Sequence, residues 1–222
     1  MLTVHHLHNS RSHRILWLLE ELQQDYQLIE YERDPDTQLA PPALREIHPL
    51  GKSPVVTLDD RTFAESGAII EAILDRFDDD QLLRPPADSE DFERYRFWLH
   101  YAEGSAMNPL FLTVIFREIP RQAPWIARPL LSGLAKGVHH AFIDRELRQH
   151  LQFWEDHLQQ HPYFAGDQFS AADIQMGIPL EGATSTPLGL DDYPRVRQHL
   201  HTLRERPAYQ RALQKGGGLD FG

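Results

Sequence analysis

Three short segments in the first third of the chain carry side chains that could do chemistry together. The first is His8-Asn9-Ser10-Arg11-Ser12-His13-Arg14, which brings two hydroxyls to what reads as the start of a helix. A hydroxyl in that place sits beside free backbone N–H groups and the positive end of the helix dipole, a setting that stabilises an anion such as a thiolate. The same hydroxyl would also serve as a plain N-cap. The second is His48-Pro49-Leu50-Gly51-Lys52-Ser53-Pro54-Val55-Val56. Proline just before a strand suggests an exposed turn, and a cis Ser53–Pro54 bond would turn the backbone groups of Ser53 outward to pair with a peptide. On composition alone it is simply a tight turn. The third is Phe63-Ala64-Glu65-Ser66-Gly67-Ala68-Ile69-Ile70. There Glu65 can accept from an ammonium while Ser66 and the helix-start amides receive a carboxylate, the two halves of an α-amino-acid head group. Ser66 is otherwise an N-cap.

The elements that must position these segments follow from periodicity. Residues 2–7 read as a strand. Ile15, Leu16, Leu18, Leu19 and Leu22 fall on one face of a helix spanning 10–24. A second strand is expected over 27–32, a short proline-opened helix over 41–47, and a hairpin with strands 55–58 and 62–64 around Asp59-Asp60-Arg61. A third helix is expected over 66–77. This order of βαβ unit, then hairpin and helix, implies a mixed sheet with helices on both sides, as in thioredoxin-like folds. Asp78-Asp79-Asp80 and Arg84-Pro85-Pro86 then read as a solvated, stiff linker. Beyond it no strand is expected. Phe92, Tyr95, Leu99, Ala102 and Ala106 mark a long helix interrupted at Pro109, and Ile143, Leu147, Leu151, Trp154 and Leu158 mark another. Later helices are expected over 171–178, 194–206 and 207–214, with Gly216-Gly217-Gly218 as a loose tail. The chain is therefore divided into an α/β thioredoxin-like domain at 1–80, a linker at 81–88 and an all-α domain at 89–222.

Composition narrows the chemistry. There is no cysteine among the 222 residues, which excludes disulfides, thiolate metal sites and a protein thiol nucleophile. Twenty-two basic against 33 acidic residues give a formal charge of −11, which argues against nucleic acid or an anionic membrane as partner. No apolar run reaches the length of a membrane span, and the first residues lack the pattern of a signal peptide, so a cytoplasmic protein is expected. No metal site is expected: His139-His140 and the N-terminal histidines lack a third ligand at suitable spacing.

In their order and spacing the motifs resemble the cytosolic glutathione transferase family over nearly the whole chain. The likeness is carried by S-R-S-H-R-I-L-W-L-L-E-E-L at 10–22, H-P-L-G-K-S-P-V-V at 48–56 and A-E-S-G-A-I-I at 64–70, and by Phe169-Ser170-Ala171-Ala172-Asp173-Ile174 in the helical domain. That last run is a capping box with a structural role. The helix-1 segment looks closest to the bacterial and fungal branch of serine-type members.

The resemblance implies the glutathione transferase architecture and an enzyme that conjugates the glutathione thiolate to small hydrophobic electrophiles. Glutathione would be a co-substrate, with no other cofactor. Ser10, four residues before Arg14, takes the place of the family's catalytic hydroxyl, with Ser12 as the fallback. His5 stands where tyrosine-type members carry theirs. Arg11, Lys52, Ser53, Pro54, Glu65 and Ser66 fall on glutathione-site positions: Lys52 near the glycine carboxylate, Ser53 through its backbone in place of the usual valine, Pro54 as the cis-proline, Glu65 and Ser66 on the γ-glutamyl group. Tyr101 and Met107 are candidates for the electrophile pocket, and a homodimer and a role in detoxification are implied. The alternative is a non-catalytic glutathione-binding or regulatory protein that reuses the fold.

Overall fold

A computed structural model describes residues 1–220. Four strands form one mixed sheet in the order β2-β1-β3-β4: β1 Leu2–Leu7, β2 Gln27–Tyr31, β3 Val55–Leu58 and β4 Arg61–Ala64. β1 runs parallel to β2 and antiparallel to β3, and β3 pairs with β4 as a hairpin. Every residue of β1 is buried, because it is an inner strand covered on both faces. Side chains alternate across a strand, so Leu2, Val4 and His6 share one face while Thr3, His5 and Leu7 share the other. Leu2 and Val4 join the main core, and His6 sits in line with them.

Helix α1 (His13–Glu21) packs on that face and is buried almost throughout. Such an all-round burial requires a cover on its outer side. The cover is α8 (Ala171–Thr184) and α10 (Pro207–Gly216). Trp17 of α1 lies so close to α8 that a Cβ on Gly177 would come within 2.9 Å of its ring. Ion pairs seal the edge: Arg206 to Glu21 at 2.6 Å, and Arg211 and Lys215 to Glu20 at 2.9 and 2.5 Å. Helix α3 (Ser66–Phe77) packs beside α1 and also meets β4 and α8, and the short α2 (Ala43–Ile47) lies between β2 and β3 in the chain.

From Glu90 onward the described chain is helical. It comprises α4 (Glu90–Tyr101), α5 (Met107–Gln122), α6 (Arg128–Val138), α7 (Asp144–Gln160), α8, α9 (Pro194–Arg204) and α10. The long helix expected to break at Pro109 in fact continues through it. Its interruption is a π-helical turn, Ala102–Ala106, joining α4 to α5. A second π turn, His139–Ile143, joins α6 to α7. Helix α6 was not anticipated from the sequence. The capping box of α8 is present: Ser170 Oγ accepts from the Ala172 amide at 3.2 Å, and Asp173 accepts from the Ser170 amide at 2.9 Å. Gly216-Gly217-Gly218 is less loose than its composition suggests. Gly216 closes α10 against the sheet, and farther on the Asn9 side chain exchanges two hydrogen bonds with the Asp220 backbone, at 2.8 and 2.9 Å.

Candidate active site at the start of the first helix

The register of the sheet gathers the three chemistry-bearing segments. His5 is opposite Val55, and Val55 is opposite Ala64. The loop after β1, the turn before β3 and the turn after β4 therefore emerge at the same end of the sheet. Ser53 joins two of them directly: its hydroxyl donates to the His5 carbonyl at 3.2 Å and accepts from the Leu7 amide at 3.4 Å.

The loop after β1 orders its two serines differently. Ser12 is fully buried, with its hydroxyl 2.8 Å from His6 Nδ1 and 2.7 Å from Ser10 Oγ. That removes Ser12 as a direct donor to a ligand arriving from solvent. Ser10 is half-buried, and its Oγ also accepts from the Ser12 amide at 3.2 Å. On the far side of the ring, His6 Nε2 lies 2.8 Å from the Gly216 carbonyl. Burial, the largest influence, pushes the imidazole of His6 below its ordinary value and outweighs the opposing bond to Gly216. The helix-start setting also differs from expectation. The amides of Ser12, His13 and Arg14 are already spent, on Ser10 Oγ, Ser10 O and Arg11 O, so the anion-stabilising capacity rests on side chains more than on open amides. Neither serine caps α1 with its side chain.

Arg11 and Arg14 share one carboxylate. Arg11 Nε lies 3.3 Å from Glu103, while Arg14 is buried and bonds both Glu103 and, at 2.9 Å, Gln175. Two guanidiniums on one carboxylate leave a net positive charge beside Ser10, against the overall charge of −11. Glu103 reaches them from the π turn, whose extra residue re-aims side chains that a continuous α-helix would place elsewhere.

In the second segment the Ser53–Pro54 bond is cis, Pro54 is buried and Lys52 is exposed. The backbone N–H and C=O of Ser53 make no backbone hydrogen bond among the described residues. In the third, Glu65 is exposed and has φ 70°, a conformation that costs a non-glycine residue of order 1 kcal/mol or more and recurs at ligand clamps. Ser66 is buried but does not cap α3, so the amides of Ser66, Gly67 and Ala68 remain open toward the same end of the sheet.

The electrophile candidates separate. Tyr101 is committed to α7: its hydroxyl accepts from Trp154 at 3.0 Å, bonds His150, and its ring packs on Phe97 and Phe153. Its hydroxyl is thus turned toward α7. Met107 instead lines a cavity of about 70 Å³ with Phe111 and Val114, an apolar wall one turn beyond Glu103. A cavity of about 950 Å³ lies by Leu2, Tyr26, Leu58 and Phe77, toward the opposite end of β1, and holds none of the candidates. His5 faces Tyr31 and Thr57, at 3.0 and 3.3 Å, on the sheet face away from Ser12. Among the described residues no cluster of three or more histidines and carboxylates could hold a metal.

Sequence reasoning passed over His6 and Gly216. The signal for His6 was its parity with Leu2 and Val4: a polar ring on a core face must find partners. Nothing in the sequence pointed to a partner 210 positions away.

Comparison with known proteins gives a consistent picture. Residues 10–76 match the family model described as glutathione S-transferase, N-terminal domain, and residues 123–201 the one described as glutathione S-transferase, C-terminal domain. The chain is 33% identical to glutathione S-transferase 3 of Schizosaccharomyces pombe, over 97% of this chain and 88% of that one. It is 31% identical to glutathione S-transferase 1 of Saccharomyces cerevisiae, over 99% and 97%. Among solved structures, a glutathione S-transferase from Actinobacillus pleuropneumoniae aligns over 100% of this chain and 95% of its own, with a TM-score of 0.79 at 31% identity.

Proposed function

Because the chain belongs to the glutathione S-transferase family, we propose that it is a serine-type member that joins the thiolate of glutathione to small hydrophobic electrophiles, with Ser10 meeting the sulfur. The observation that carries this reading is the convergence of Ser10, the unpaired backbone of Ser53 and the open amides of α3 at one end of the sheet. A tripeptide laid across that end has its cysteinyl backbone beside Ser53, its γ-glutamyl head at Glu65 and Ser66, and its glycine carboxylate toward Lys52. Arg11 and Arg14 supply the local positive field.

An ordinary thiol titrates near 8.5, and each unit of lowering corresponds to about 1.36 kcal/mol. A hydroxyl donor together with the guanidinium pair can supply roughly one to two units, enough to make thiolate abundant near neutral pH. Attack by that thiolate on an electrophilic carbon follows, with Met107, Phe111 and Val114 as the apolar wall on that side. The reading takes in the bacterial and fungal branch, a cytoplasmic homodimer, a detoxifying role and the domain limits 1–80, 81–88 and 89–222. Phe97 and Phe153, exposed and packed on each other, suit a subunit contact.

The test is Ser10→Ala. Turnover with glutathione and a chlorodinitrobenzene should fall about tenfold or more, with KM for glutathione changed by only about threefold. The wild-type protein should be retained on immobilised glutathione and elute in sizing as a dimer. Undiminished turnover in Ser10→Ala would remove the serine assignment, and a lack of retention would favour a fold reused for another purpose.

A further inference from the structure

We propose that His6 accepts the thiol proton, which reaches it from glutathione through Ser10 and Ser12, and that the Gly216 carbonyl decides which nitrogen of the ring receives it. The inference rests on the serine-type reading above.

It follows from counting protons along a chain of short contacts. A carbonyl only accepts, so the nitrogen 2.8 Å from Gly216 O, Nε2, carries a hydrogen. Burial favours the neutral ring, in which Nδ1 is a bare acceptor. Ser12 lies 2.8 Å from Nδ1 and 3.4 Å from the Leu7 carbonyl, and the shorter contact, to a nitrogen with no hydrogen, is the one its proton serves. With that proton spent, the 2.7 Å contact between the two serines needs the hydrogen of Ser10. The result is a chain polarised inward: Ser10 donates to Ser12, Ser12 to His6, His6 to Gly216. In the free protein the hydroxyl meant for sulfur points its proton away from solvent.

Arrival of the thiol reverses the chain. The S–H bond breaks and its proton joins Ser10 Oγ. The former proton of Ser10 passes to Ser12, and that of Ser12 to His6 Nδ1, while Nε2–H stays on Gly216. The products are a thiolate and an imidazolium, so charge and atoms balance with no other reactant. Ser10 now donates outward to sulfur, and the Ser12 amide, 3.2 Å from Ser10 Oγ, holds the oxygen in place throughout. The proton returns by the same path or passes to solvent once the thiolate has been consumed. His6 is thus a positioning residue acting through two hydroxyls. The titratable groups facing it are His8 from the loop after β1, Glu30 from β2 and His13 from α1. Of these, His8 lowers and Glu30 raises the ring's affinity for a proton, and the His6–His13 pair is mutually unfavourable when charged.

The experiment compares Ser12→Ala, His6→Gln and Ser10→Ala in the full-length protein, measuring turnover against pH with glutathione and a chlorodinitrobenzene. Glutamine can still donate to Gly216 but cannot take up a proton. Both Ser12→Ala and His6→Gln should lose about tenfold in kcat near about pH 6.5 and recover most of it by about pH 9, where hydroxide takes the proton instead. KM for glutathione should stay within about threefold in each. If both profiles superimpose on the wild type while Ser10→Ala is inactive, the relay is wrong and the serine reading stands. If Ser10→Ala is fully active, both fall together. Should His6→Gln fail to fold, Ser12→Ala decides alone, since it removes a link and leaves the bond from the ring to Gly216 in place.

Discussion

At the scale of single residues, the site is a set of buried polar groups that bond one another. Arg14 is only partly satisfied. It is 1% exposed, two of its guanidinium nitrogens have no partner, and its charge is balanced by Glu103 alone, which Arg11 shares. Burial lowers the pKa of that guanidinium, with the carboxylate opposing the shift. Glu103→Gln keeps the shape and a hydrogen-bond acceptor but strips the counter-charge. Because Glu103 is partly exposed, the expected cost is about 2 kcal/mol, less than for a fully enclosed pair, and a fall in melting temperature of roughly 4–8 °C. A thermal melt reads this directly, and an unchanged midpoint would mean that solvent already balances Arg14. Ser10, Lys52, Pro54, Glu65 and Ser66 were legible as a group because each lies in a short motif whose local geometry suggests a ligand. Which serine faces outward was not legible, since that depends on what stands behind the loop. His6 and Glu103 come from a buried strand face and from a π turn, and neither announces its direction in the sequence.

At the scale of elements, α10 holds α1 in place from outside. Gly216 permits its close approach: a Cβ there would lie 2.4 Å from Leu16 Cδ1 and 3.0 Å from the His6 ring. In an unobstructed helix, replacing glycine by alanine stabilises by up to about 1 kcal/mol. Gly216→Ala should do the opposite, costing about 1–3 kcal/mol, because a well-packed contact must open. It should also lower turnover, since the carbonyl that orients His6 moves with the backbone. Melting and kinetics on the one variant test both, and a raised midpoint with full activity would contradict them. Most helices were readable from apolar spacing. Those misjudged have physical reasons. The start of α1 is delayed to His13 because the loop spends its amides on Ser10 and Arg11. The break in the long helix falls at residues 102–106, where the π turn stands, and not at Pro109, beside which the Asn108 side chain donates to the Gly104 carbonyl at 2.9 Å. Helix α6 does carry Leu130, Leu134 and Val138 at helical spacing, but Gly133 and Gly137 between them weaken the helical signal.

At the scale of the whole molecule, stability should depend on pH through histidines kept neutral. Burial is the main cause that lowers His13 and His157 to about 4 from the ordinary value near 6.5. Below about 6.5 the unfolded chain binds protons that the folded one refuses, so stability is complete above that pH and drains away as pH falls toward 4. The full loss is about 3 kcal/mol for His13 and less for the more open His157. Glu20 extends the decline. Burial would raise its carboxyl, but Lys215, Arg211 and Tyr26 outweigh that and hold it low, so its contribution disappears only in more acid solution. Melting temperature measured from pH 7 down to about 4.5 should fall steadily, and a flat profile would refute the assignment. The two-part architecture was legible because strand and helix periods change cleanly near the linker. The seam between the parts was not, because its contacts join residues far apart in sequence.

One of those contacts has a temporal meaning. A ribosome delivers the sheet and α1 long before residue 216, and a growing chain can shape its first domain early. The ring of His6 then has no carbonyl to choose its tautomer until α10 arrives and docks. Until α10 docks, the sheet and α1 would be assembled but chemically silent.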